Sequence, residues 1–311
     1  MKNLGIGIFR FRLYFPPSSC LCGDELFMKK FLKWFGVSLC AMILIIVVLA
    51  VYAYFIEPSE LKIHAVTLAV PHWSKELNDF KIAAVSDIHG GSNNVSEERL
   101  RYLTEQINAQ NSDIIVLLGD FVSQDGGKHG NLKMPIETVA ANIGGMKAKY
   151  GVYAVIGNHD WWYDDAKTRA ALEKIGVKVL ENQTFAFAVN NQIVTILGIE
   201  DFWKHRAVPV QDAMSKINSP ENIIAITHNP DSFDQTPASI ALVLAGHTHG
   251  GQVWIRFYGA PVKVSKAEYY KPHVVKDGRN LFVTSGFGTT GPPFRFLVPP
   301  EIAVITLNAA E

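Results

Sequence analysis

Beyond residue 57 the chain alternates short apolar runs with amphipathic stretches, and the two periods separate strands from helices. Leu61 to Val70 predicts a strand, and Lys81 to Ser86 predicts a second that ends at Asp87. A helix should follow, capped by Asn94 or Ser96, with Glu97 and Glu98 in its first turn and Leu100, Leu103 and Ile107 on one face. Ile114 to Leu118 reads as a buried strand ending at Gly119-Asp120, and Pro135 to Met146 as a helix. Val152 to Ile156 is the next strand, leading to Gly157-Asn158-His159, and another helix runs from about Asp165 to Ile175. Strands over 184–189 and 192–199 flank Asn190-Asn191, a hairpin signal. Ile223 to Thr227 precedes His228, Leu242 to Ala245 precedes Gly246-His247, and the remainder predicts strands near 281–284 and 302–306.

One stretch breaks the alternation. From Trp34 to Ile56 there is no charged residue and no polar face, and about 20 apolar residues suffice to span a bilayer. The run exceeds the roughly 7–15 residues of a signal-peptide core, so it reads as an uncleaved anchor. Lys29, Lys30 and Lys33 precede it and Glu57 and Glu60 follow. The basic side tends to remain cytoplasmic, which places the N-terminus inside and the large domain outside the cell membrane. The expected organisation is a cytoplasmic tail over 1–33, an anchor over 34–56 and one large domain over 57–311. Residues 1–27 lack periodicity, and Met28-Lys29-Lys30 resembles a natural start, so the first 27 residues read as a mis-assigned extension or a disordered tail.

Composition narrows the chemistry. Lys plus Arg and Asp plus Glu number 29 each, so no basic field points to nucleic acid. Cys20, Cys22 and Cys40 are the only cysteines, so any metal held in the domain must be bound by nitrogen and oxygen.

Five apolar runs, near 81–86, 114–118, 152–156, 223–227 and 242–245, each lead within two residues to a metal-ligand type: Asp87, Asp120, Asn158, His228 and His247. In layered α/β proteins, ligands gather outside the carboxyl ends of strands. With His89, His159 and His249 beside them, the set offers imidazole, carboxylate and amide donors. Such donors suit manganese, iron or zinc, and manganese is the expected ion. Seven groups exceed one tetrahedral site and fit two adjacent ions sharing a carboxylate. Two ions about 3.5–4 Å apart can clamp both oxygens of an in-line phosphoryl displacement.

Asp87-x-His89, Gly119-Asp120, Gly157-Asn158-His159-Asp160, His228 and Gly246-His247-Thr248-His249 stand in the order of the blocks D-x-H, G-D, G-N-H-[DE], H and G-H-x-H. On these residues the sequence resembles the calcineurin-like metallophosphoesterases. The resemblance implies a four-layer α-β-β-α sandwich. It implies that Asp87, His89 and His249 hold a first ion, that Asp120 bridges, and that Asn158, His228 and His247 complete a second. His159 would be the catalytic proton donor or charge stabiliser beside the leaving group, with hydroxide held by the ion pair as nucleophile.

His247-Thr248-His249-Gly250-Gly251-Gln252 and the stretch from Gly286 to Glu301 resemble a bacterial membrane-associated branch. That branch includes UDP-2,3-diacylglucosamine pyrophosphatases of lipid A biosynthesis. The expected substrate is a small phosphodiester or pyrophosphate, lipid-linked or a nucleotide-sugar, with no nucleic-acid or protein partner. An outward-facing domain and a cytoplasmic lipid A precursor exclude each other, so either the domain faces the cytoplasm instead or the substrate is a different one. The rival substrates are therefore extracytoplasmic nucleotides or cell-wall phosphodiesters, and the rival class is a membrane-tethered module without catalysis. Protein phosphatases of the superfamily carry G-D-x-V-D-R-G where this chain has Gly119-Asp120-Phe121-Val122-Ser123-Gln124. The carboxylate that would orient His159 and the phosphate-binding arginine are therefore missing.

Other residues have ordinary readings. His64, His72, His129, His205 and His273 are satisfied core or surface residues. Trp161, Trp162 and Tyr163 are either packing or an apolar rim for a base or acyl chain. Arg295 contacts phosphate or pairs with Glu301. Asp125 and Asp201 are turn residues by default, and Lys204, His205 and Arg206 a small solvated basic cluster.

Overall fold

A computed structural model describes residues 21–126, 128, 130–204, 210–215, 217 and 221–311. His129, His205 and Arg206 lie outside the described residues. The chain divides into two compact units, residues 1–49 and 50–311.

In the first unit lies most of helix α1, Leu21–Val51. It starts well before the apolar run, so Leu21 to Phe27, expected as part of a tail, are helical. Its 31 residues at about 1.5 Å each exceed the roughly 30 Å of a hydrocarbon core. Its Leu, Ile, Val and Phe side chains are exposed, so this one apolar helix could cross a membrane.

The second unit is a mixed α/β fold of two six-stranded sheets. In chain order it comprises β1 (Lys62–Val70), β2 (Phe80–Val85), α2 (Glu97–Asn108), β3 (Ile114–Leu117), α3 (Ile136–Ile143) and β4 (Val152–Ala154). Then come α4 (Asn158–Tyr163), α5 (Asp165–Lys174), β5 (Lys178–Val179), β6 (Gln183–Val189), β7 (Gln192–Ile199) and α6 (Val210–Met214). The series closes with β8 (Ile223–Thr227), β9 (Leu242–Ala245), β10 (His273–Lys276), β11 (Arg279–Val283) and β12 (Glu301–Ala309).

The first sheet has the order β1-β12-β2-β3-β4-β5 and the second β10-β11-β9-β8-β7-β6. Their inner faces meet over Ile82, Ala84, Val116, Tyr153, Ile196, Ile224 and Leu244. The outer face of the first sheet, through Ala83, Val85, Ile115 and Leu117, packs on Leu100, Leu103 and Ile107 of α2 and Val139 and Ile143 of α3. The strands therefore read as unbroken apolar runs because both faces are buried. Each fully buried aliphatic side chain contributes about 1.5–3 kcal/mol.

Local signals act as expected at two points. The Ser96 hydroxyl caps α2 by accepting from the Arg99 N–H at 3.2 Å. Asn190 and Asn191, at φ 48° and 64°, turn β6 into β7, the backbone that a two-residue hairpin demands. β2, β3 and β4 run parallel with Ile82 opposite Ile114 and Ile115 opposite Val152, and β8 lies parallel to β9 with Ile224 opposite Leu242. This common direction delivers the loops after five strands to one edge of the molecule.

Candidate metal centre and active site

Asp87, His89, Asp120, His247 and His249 leave their strands with φ between 47° and 67°, a region non-glycine residues seldom occupy. Backbone bonds lace these loops together: Asp87 N–H to Gly119 O at 2.9 Å, His89 N–H to Asp120 O at 2.9 Å, and Gly246 N–H to His228 O at 2.9 Å. Gly157 is required by closeness, since a Cβ there would lie 2.3 Å from Asp120 Oδ1.

The side chains converge in two groups. In the first, His249 Nε2 lies 3.3 Å from Asp87 Oδ1 and 3.2 Å from His89 Nε2. In the second, His228 Nε2 lies 3.1 Å from Asn158 Oδ1 and 3.1 Å from His247 Nδ1. Asp120 stands between them, with Oδ2 3.5 Å from His89 Nε2 and 3.4 Å from His228 Nε2. Its other oxygen accepts the His159 backbone N–H at 2.8 Å. Asp87 Oδ2 accepts from the His247 N–H at 3.0 Å and from the Ser86 hydroxyl, leaving Oδ1 for the cluster.

Secondary contacts settle ring orientation. His89 Nδ1 faces Val122 O at 3.1 Å and His228 Nδ1 faces Leu118 O at 2.7 Å. A carbonyl accepts only from a protonated nitrogen, so in each neutral ring Nε2 presents its lone pair to the cluster.

These residues fit divalent metal. Imidazole nitrogens 3.1–3.2 Å apart face one another, and Asp87 Oδ1, His247 Nε2 and His249 Nδ1 are buried without hydrogen-bond partners. Such an arrangement is costly unless a cation lies within it. Burial, with repulsion from neighbouring histidines, drives His89 down to about 3 and His247 and His249 well below the ordinary histidine range. All three are therefore neutral, the form that binds metal. His228 goes the other way: Asp120, Asp87 and Asp201 outweigh its desolvation and hold it up at about 10, so its Nε2 would have to give up a proton before it could hold a cation, as metal binding at imidazole requires.

Two supporting roles emerge only from the fold. The buried carboxylate of Asp160 accepts four backbone N–H groups, from Asp120 (2.8 Å), Phe121 (2.8 Å), Val122 (3.1 Å) and Gly157 (2.9 Å), and so clamps two ligand loops together. Gln124 grips His159 at both ends. Its Oε1 accepts from Nδ1 at 2.9 Å and its Nε2 donates to His159 O at 2.9 Å. His159 Nε2 then faces Thr290 Oγ1 at 3.4 Å.

Several expectations change. Arg295 neither faces phosphate nor pairs with Glu301: fully buried, it donates to the carbonyls of Ser285, Gly288 and Val298 at 2.6–3.2 Å. Glu301 instead meets His64 at 3.2 Å. Trp161 and Tyr163 pack on the core while Trp162 turns to the site. Asp201 is buried and accepts the Trp161 indole N–H at 2.8 Å, whereas Asp125 lies at the surface. Lys204 is bound rather than solvated, 2.8 Å from Asp165 and 2.9 Å from Glu200.

Beside the cluster opens a cavity of about 430 Å³. His159, Gln252 and Thr290 supply polar groups, and Trp162, Trp203, Val262, Val264, Pro292 and Phe294 give it apolar walls. Among the described residues lining it there is no Lys or Arg.

The two sheets thus deliver a cluster of nitrogen and oxygen donors to the edge of one cavity. The chain belongs to the calcineurin-like phosphoesterase family, whose model matches residues 80–251. It is 29% identical over 269 residues to the metallophosphoesterase YkuE of Bacillus subtilis, covering 84% of this chain and 90% of that one. A Danio rerio transmembrane protein with a metallophosphoesterase domain is 27% identical, with 86% and 62% covered. Helicobacter pylori metallophosphoesterases are 26% identical, with 74% of this chain covered, and the chain spans only 60% of their length.

Proposed function

We propose that the protein hydrolyses a phosphodiester or pyrophosphate bond in a lipid-linked substrate. In this reading Asp87, His89 and His249 hold one divalent ion, Asn158, His228 and His247 a second, and Asp120 both. The observation that carries the substrate class is the cavity beside the cluster, apolar and without a cationic side chain among its described lining residues. A fatty or isoprenoid group would bury apolar surface against these walls.

Two divalent ions, with manganese expected, would activate water and neutralise charge on the phosphoryl group. The chain's own residues do the rest. Asp160 keeps the ligand loops in register, and Gln124 holds the His159 ring so that Nε2 faces the cavity with Thr290. Burial keeps His159 below the ordinary histidine range. An anionic phosphoester beside it favours the protonated ring, so a proton taken up with substrate is delivered from Nε2 to the departing oxygen. Trp162 and the proline and valine walls exclude water from the non-reacting group.

Residues 34–56 act as anchor and 57–311 as catalytic domain, with residues 1–33 cytoplasmic and the domain outside. Tethering raises the local concentration of a bilayer substrate.

The test uses the full chain in detergent, with bis-p-nitrophenyl phosphate and p-nitrophenyl phosphate as probes, followed by lipid phosphodiesters and pyrophosphates. Metal-dependent cleavage of the diester is expected, lost on chelation and in Asp120→Asn, with kcat/KM rising as an acyl chain is added. Faster turnover of free nucleotides than of any lipid conjugate would replace the lipid reading with an extracytoplasmic nucleotide phosphodiesterase. Metal bound without turnover of any compound would leave a binding module.

A further inference from the structure

The loop from Trp254 to Gly259 is a small hairpin closed by Ile255 N–H to Gly259 O at 3.0 Å and Gly259 N–H to Ile255 O at 2.8 Å. At its tip stands Phe257, 98% exposed and at φ 72°. Left-handed backbone is unfavourable for a bulky residue, and an isolated exposed phenylalanine gains nothing from water. Glycine or asparagine would serve a mere turn better. Tyr258, Ile255 and Val262 are also exposed, at 69%, 46% and 66%. The hairpin thus presents a projecting apolar tip rather than scattered surface residues.

Its charge is one-sided. Arg256 and Lys263 are exposed, Arg256 lying over the Phe257 ring at 5.3 Å, and no acidic residue occurs from Gly250 to Ser265. Aromatic side chains flanked by basic ones form the pattern that lies in the headgroup region of a membrane.

Position completes the argument. Trp254 N–H donates to Phe296 O at 2.8 Å, and Phe296 N–H to Gln252 O at 3.0 Å, so the hairpin grows from the segment around Phe296. That same segment receives the chain where it enters the domain. Arg295 N–H donates to Ala53 O at 2.9 Å, and the ring pairs Tyr54–Phe294 and Tyr52–Phe296 lie 5.6 and 6.4 Å apart. Phe294 and Val262 in turn line the catalytic cavity.

We infer that the Trp254–Gly259 hairpin is a bilayer-contacting lip, which sinks Phe257 and Tyr258 into the headgroup and upper acyl region of a membrane containing anionic lipid. Arg256 and Lys263 pair with the lipid phosphates. The lip holds the cavity mouth at the membrane surface, whichever phosphoester is cleaved there. It is distinct from the apolar helix, which supplies attachment but sets no orientation for the domain.

The test is site-directed spin labelling of the full chain in vesicles of phosphatidylcholine and phosphatidylglycerol. Cys20, Cys22 and Cys40 are replaced by serine, and one nitroxide is placed at Phe257→Cys or, on the exposed face of α2, at Glu105→Cys. Oxygen accessibility relative to that of a water-soluble nickel chelate should be several-fold higher at 257 than at 105, and should fall when phosphatidylglycerol is omitted. Equal, water-like values at both positions would overturn the inference and leave the hairpin free for a protein partner. Tyr258→Cys repeats the measurement should the first variant fold poorly. Because no substrate is present, a negative result here leaves the lipid-hydrolase reading standing, and failure of that reading leaves this one.

Discussion

Gln124 stands where a carboxylate would make the ring of His159 permanently more basic. Its amide oxygen fixes the same tautomer without adding charge, so burial dominates and the ring stays below its ordinary range. Gln124→Glu reverses that balance. A carboxylate at Nδ1 favours the protonated ring, so the alkaline limb of the kcat–pH profile should move to higher pH by about 1 unit or more. An unmoved profile would assign Gln124 a structural role only. The ligand-type residues were legible because each follows an apolar run or stands within two residues of one that does, but the roles of their helpers were not. Thr290 lies 131 residues from His159, and only the folding of two separate loops brings them together. Arg295 misled for a similar reason: a cation near the motifs reads as a partner for phosphate or for Glu301, yet the carbonyls of a tight loop enclose it.

Among the elements, β1 is the edge of its sheet and is joined to β12 by register and by one titrating pair. His64 faces Glu301 at 3.2 Å, and this hydrogen bond, outweighing partial burial, raises the histidine pKa. A raised folded-state value means that the contribution is complete below the unfolded value of about 6.5 and is lost as pH climbs through the folded one. His64→Gln should therefore lower the Tm by roughly 1–3 °C near pH 5.5 and by less near pH 9, read by differential scanning calorimetry, since a half-exposed pair is worth under about 1 kcal/mol. The longer elements, from the capped α2 to the hairpin of β6 and β7, could be read from period and turn chemistry. The short ones could not. β5 has two residues and α4, which begins at a candidate ligand, has six, too few in either for a period to repeat. β10, His273–Lys276, takes its place by pairing with β11, while Val275 on it stays exposed.

At the scale of the molecule, the two sheets are brought to a common edge that concentrates buried lone pairs, and stability and metal content are therefore coupled. A ligand at about 100 times its dissociation constant stabilises by roughly 2.7 kcal/mol. Chelation should lower the domain's Tm by roughly 5–10 °C, restored by manganese, as followed by thermal unfolding monitored by circular dichroism. An unchanged Tm after metal removal would mean that the cluster is satisfied without ions. The sheet order β1-β12-β2 has a further consequence, in time rather than in energy. β12 separates two strands made far earlier, and at about 5–20 residues per second it emerges some tens of seconds after them. Throughout that interval β1 and β2 have no central partner, and the Asp87 loop lacks the Gly286–Gly288 turn whose N–H groups it later receives. All seven candidate ligands precede residue 250, so a chain stalled late in translation would carry every one of them and still lack the strand that lies between β1 and β2.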